Sequence, residues 1–179
     1  RRFRGRFGRK AQGRRGQGVK LPMLITRNLS FLFILSFLSL SIWAAEARFV
    51  SVRYLEKQAF LRISEYFGGK ENTGNRLICR SKPDARAGLY IVVSLKESTR
   101  KLPSDLVARW QVISPKEPDP VEHRIAVPNE RPRGKDLFVG LTGTDWPDPE
   151  VRPVAWKFTL ETSEGKVLLV QKSYLWERR

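Results

Sequence analysis

Side chains that could do chemistry near neutral pH are scarce: the chain carries one histidine, His123, and one cysteine, Cys79. Those counts argue against a Cys/His zinc site and against a disulfide framework, and leave a Cys-His nucleophile pair only if it uses the sole copy of each. His123 alternates with Val121, Ile125 and Val127, which puts it on the apolar side of a strand. That position suits a half-buried structural imidazole better than a catalytic base. Ser104, Asp105 and His123 form a triad on paper, yet no nucleophile-elbow motif accompanies them. Cys79 alternates with Leu77 on an inward face and reads as packing, because a lone thiol in an oxidising compartment is safest inside the core.

Gly68, Gly69 and Lys70 resemble a phosphate loop only superficially, since its glycine spacing, its Ser or Thr after the Lys and its following helix are missing. The segment reads as a turn. Asp145, Asp148 and Glu150 lie close enough in sequence to share a hard cation. Pro147 and Pro149 restrict the wrapping this needs, so a solvated acidic loop is expected, with no metal and no cofactor. Trp146, between Asp145 and Pro147, has two readings: an exposed aromatic anchor for a ligand, or an indole folded back to plug the end of the domain. Arg131 and Arg133, with Lys135, sit in a Pro/Gly loop that either meets an anionic polymer or is simply solvated. The candidate binding residues are therefore Trp146, Asp145, Asp148, Arg131 and Arg133, and no catalytic residue is assigned.

The elements that must position these residues are strands. Leu89, Ile91, Val93 and Leu95 recur at every second position, as do Leu106, Ala108, Trp110 and Val112, and Val154, Trp156, Phe158 and Leu160. Such alternation aims one set of side chains at one face of a sheet. Weaker alternation marks 59–67, 76–80, 121–127 and 137–141, and the run 167–176 begins continuously apolar, as a strand buried on both sides would. Turn-rich segments separate the runs, and Gly165 suits a tight hairpin between 152–161 and 167–176. Seven to nine short strands without a convincing amphipathic helix predict an all-β, antiparallel β-sandwich of immunoglobulin-like or fibronectin-type-III-like architecture; a small β-barrel is the alternative.

The chain has 179 residues and a formal charge of +16, but the charge is uneven. Residues 1–22 hold nine Arg or Lys and no acid. They read as a disordered Arg/Gly-rich leader, or as sequence upstream of the true start, since Met23 is the only methionine. Residues 23–47 then follow signal-peptide grammar: Arg27, an apolar run, and Ala45 and Ala47 around Glu46. An uncleaved membrane anchor over 28–45 is the alternative. Either way residues 48–179 are expected outside the cytoplasm, periplasmic or secreted. The leading expectation is an exported, non-catalytic binding or cell-envelope assembly module whose partner is a protein or an anionic envelope polymer. No nucleic-acid partner is expected for the mature domain, and membrane contact only if 28–45 stays attached. The alternatives are a secreted hydrolase using loop carboxylates on glycans and an RNA binder acting through the leader.

Overall fold

The computed structural model describes residues 44–177. The leader 1–22 and all but the last four residues of the 23–47 signal segment lie outside the described residues. Among the described residues eight strands form two four-stranded sheets: β1 (Ala47–Leu55), β2 (Leu77–Arg80), β3 (Gly88–Leu95), β4 (Leu106–Ile113), β5 (Val121–Val127), β6 (Asp136–Thr142), β7 (Ala155–Thr162) and β8 (Val167–Lys172). The first sheet has the order β1-β3-β6-β2 and the second β5-β4-β7-β8. All pairs are antiparallel except β2 with β6. The protein is an all-β sandwich, as the alternation predicts.

Inward side chains of both sheets meet in one core, built around Trp110, Phe158, Leu89, Ile91, Val139 and Leu160. The second sheet keeps a wet outer face, where Arg109 pairs with Glu161 at 3.1 Å and Arg124 with Glu122 at 2.8 Å. This is why β4 alternates cleanly. The first sheet is covered on both sides. Its outer cover is the crossover from β1 to β2, which must pass over β3 and β6 because β1 and β2 run parallel at opposite edges. The crossover buries Phe60 against Tyr90, Val92 and Phe138. β3 and β6 are therefore buried along nearly their whole length and read as almost unbroken apolar runs.

Three expectations are corrected. Residues 59–67 are not a strand: a 3-10 turn (Lys57–Phe60) leads into a short helix, α1 (Ile63–Gly68), closed by Gly69 in the left-handed region at φ +66°. The run from Val167 is not buried on both sides, because β8 is an edge strand with Val167 and Val170 exposed. It also stops at Lys172, after which Tyr174–Glu177 form a second helix, α2, that takes Trp176 out of any strand. β1, which carried no alternation signal, is a full nine-residue strand. The hairpin between β7 and β8 turns at Gly165, whose φ is +85°.

Ala45–Ala47, the expected peptidase site, run directly into β1. The Ala45 amide donates to the Leu168 carbonyl, the Glu46 carbonyl accepts from the Lys96 amide, and Lys96 pairs with the Glu46 carboxylate. Among the described residues no helix is long and apolar enough to cross a membrane.

Candidate binding cleft

The connections leave the sandwich at two ends. At one lie the β4–β5 loop (114–120) and the β6–β7 crossing (143–154), because Ile113 pairs with Ala155 and Thr142 with Gly88. At the other lie 96–105 and 128–135, because Leu106 pairs with Val127 and Ser94 with Asp136. Trp146, Asp145 and Asp148 belong to the first end, Arg131 and Arg133 to the second. The five residues do not form one site.

At the first end, Thr142 pins the start of the crossing. Its hydroxyl accepts from the Lys82 amide at 3.0 Å and donates to the Lys82 carbonyl at 2.9 Å. A 3-10 turn over Gly143–Asp145 then folds Trp146 back onto the core, leaving the residue 7% exposed. Its indole N–H points at the Val151 carbonyl, 3.4 Å away. Of the two readings of Trp146, the indole is packed as a plug, and yet part of it remains as the wall of a cleft.

That cleft has a volume of about 340 Å³ and is lined by Val112, Val121, His123, Asp145, Trp146 and Asp148 among others. Asp148 accepts from the Glu150 amide at 3.0 Å and from Lys116 at 3.3 Å, and these contacts, the Glu150 amide first, hold its carboxyl below the ordinary range. Asp145 faces Lys82 at 3.6 Å. Burial pushes the His123 imidazole down and favours its neutral form, with Asp145 opposing the shift. The cleft thus joins a small apolar floor to a rim of hydrogen-bonding and charged groups, the usual construction of a ligand site of this size.

In the sequence His123 and the 145–148 loop stand apart, and Ser114, Lys116 and Thr144, which also line the cleft, carry no signal of their own. The available signal was the register of β5 on β4, which places His123 opposite Trp110, two residues from Val112.

The other end is differently built. Arg131 is 8% exposed, and its guanidinium donates to the carbonyls of Pro128 (2.7 Å), Leu102 (2.8 Å) and Pro103 (2.6 Å). It clamps two loops together, and Nη2 is buried with no partner. This is neither a solvated arginine nor one displayed to a polymer. Arg133 and Lys135 are exposed, while the Arg133 carbonyl accepts from Ser98 at 2.8 Å. Ser104 and Asp105 lie at this end. His123 is four residues up β5 from Val127, roughly 13 Å at a strand's rise. Cys79 is in the core, and burial pushes its thiol up to about 12. Gly69 is the cap of α1 and Lys70 is exposed. Among the described residues no three His, Cys, Asp or Glu side chains converge as metal ligands do.

No protein-family model, curated protein or solved structure matches the chain.

Proposed function

We propose that the protein is an exported, non-catalytic binding module of the cell envelope, and that it takes its ligand in the cleft beside Trp146. The observation that carries this reading is the convergence of Lys116, His123, Asp145, Asp148 and Trp146 on one cleft of about 340 Å³, from three separate stretches of chain. An apolar floor with polar groups at its edge suits a ligand that presents one apolar and one hydrogen-bonding side, as a sugar ring or a peptide side chain does. The non-catalytic part rests on His123. Among the described residues its ring has no hydrogen-bonded carboxylate to orient it and no hydrogen-bonded serine or cysteine to activate, the Ser114 hydroxyl in the same cleft being bonded to the Glu117 amide instead. The export part rests on the pattern of residues 23–47.

One preparation tests both parts. The chain is expressed from Met23 with a C-terminal tag and offered to an array of envelope glycans and peptides. The reading expects an N-terminus at Glu46 or Arg48, or a membrane-held chain with its tag outside, and a binder that Thr144→Trp loses by filling the cleft while Arg133→Ala retains it. A cytoplasmic full-length product removes the export part. Turnover of a glycan that is lost in Asp145→Asn or Asp148→Asn replaces the binding part with the hydrolase reading.

A further inference from the structure

Helix α1 is inside out. An amphipathic helix on a globular domain ordinarily turns its apolar side to the core and its polar side to water. In α1 the residues at i, i+3 and i+4 are Ile63, Tyr66 and Phe67, and they are 80%, 91% and 88% exposed. The helix is fastened to the domain by its polar residues instead. The Glu65 carboxylate accepts from Arg86 at 2.7 Å and from the Asn72 amide at 3.3 Å, and the Ser64 hydroxyl accepts from the Asn72 side chain at 2.8 Å. The segment is not a loose loop with stray apolar residues. Phe60, three residues before the helix, is anchored in the outer core layer with its ring 4.9 Å from that of Tyr90 and the Arg80 guanidinium 5.1 Å above it. The fold thus holds three large apolar side chains outward on a fixed mount.

The rim of this face is basic. Lys57, Arg62 and Lys70 are exposed, and among the described residues none of them pairs with a carboxylate. Of the acids nearby, Glu65 and Glu71 are occupied by Arg86 and Arg80, which leaves Glu56 and Asp84 against the three cations. We propose that this face docks on an anionic lipid bilayer, with Ile63, Tyr66 and Phe67 entering the headgroup and upper acyl region and Lys57, Arg62 and Lys70 meeting lipid phosphates. Three protruding side chains are few beside the roughly 20–30 residues that a stable protein interface takes from each partner, whereas a bilayer needs no complementary shape. Aliphatic and aromatic residues beside Lys and Arg are also the composition of interfacial helices. The face belongs to the outer side of the first sheet and shares no residue with the cleft, so this proposal and the cleft reading stand or fall separately.

The test reads residue 66 in the full chain. Tyr66→Cys is labelled with an environment-sensitive fluorophore; the buried Cys79 thiol does not compete. A label on Glu164→Cys, in the β7–β8 hairpin, is the reference. The readout is local, so it does not depend on whether residues 28–45 hold the chain to a vesicle. With vesicles of phosphatidylglycerol and phosphatidylcholine the label at 66 shifts to the blue and is quenched by a lipid-borne nitroxide, while the label at 164 stays aqueous. Each cation contributes about five-fold to the partition, so Lys57→Gln, Arg62→Gln and Lys70→Gln together abolish the shift, as does the pair Ile63→Ser and Phe67→Ser. All replaced side chains are exposed, and an unchanged urea unfolding midpoint shows that the variants remain folded. An aqueous label at 66 on anionic vesicles overturns the proposal, as does an equal shift on phosphatidylcholine alone. A shift that follows protein concentration without lipid also overturns it, and assigns the face to a second copy of the chain.

Discussion

His123 is the residue whose environment converts most directly into a measurement. It lines the cleft together with Val112 and Val121, and burial lowers the pKa of the ring from its ordinary value of 6.5. The groups that face it are Asp145 and Glu117, which favour the charged form, and Lys82, which opposes it. Because the folded value is the lower one, the unfolded chain binds more protons at this site in the window just below 6.5. Stability should therefore rise with pH through that window and fall as pH drops through it. Urea midpoints taken between about pH 5 and pH 7.5 should show the slope, and His123→Gln should flatten it. A wild-type slope of the opposite sign would mean that Asp145 outweighs burial. Arg131 teaches a different lesson at the same scale. A basic residue in a Pro/Gly loop looks solvated because nothing in a sequence shows which carbonyls will lack donors. Here Leu102, Pro103 and Pro128 do, and the guanidinium answers all three.

At the level of elements, the crossover layer is what gives the first sheet its two-sided burial. Its organising contact is Tyr90, whose hydroxyl donates to the Arg86 carbonyl at 2.7 Å and accepts from Arg80 Nε at 3.0 Å. Arg80 is in turn gripped by both oxygens of Glu71, at 2.5 and 2.8 Å. The ring so fixed lies over Gly140, its register partner on β6, where an added Cβ would come within 2.4 Å of it. Gly140→Ala should cost about 2 kcal/mol by overpacking, and that penalty should largely vanish in a Tyr90→Ala background. A double-mutant cycle from urea unfolding measures both terms. Additive effects would show that the glycine is needed for another reason. The elements also show where sequence patterning succeeds. Strands β4, β5 and β7 were legible because a sheet with one wet face alternates. Helix α1 was not, because apolar periodicity marks a surface helix only where the apolar residues turn inward, and Ile63, Tyr66 and Phe67 do the reverse. β1 was missed for a related reason: as an edge strand it has exposed positions at Arg48, Phe49 and Arg53 that blur its period.

For the whole molecule, the +16 divides into two quantities, nine positive charges on residues 1–22 and an excess of seven on residues 48–179. Within the described domain the acids are largely matched by arginines across the second sheet and around Arg80 and Arg86, which leaves the excess on other cations, Lys57, Arg62 and Lys70 beside α1 among them. The cleft and the α1 face place two different surfaces on one rigid sandwich. The sandwich itself could be read from strand spacing. The cleft could not, because it depends on which loops share an end, and that follows from the β6–β7 crossing between the sheets. Whether ligand is taken beside Trp146 is decided by amide NMR of the protein titrated with the strongest binder from the glycan and peptide array. Binding in the cleft gives shifts concentrated at 114–123 and 143–151, with Arg133 and Lys135 unmoved. Shifts centred on 128–136, with the His123 and Trp146 amides silent, would contradict it.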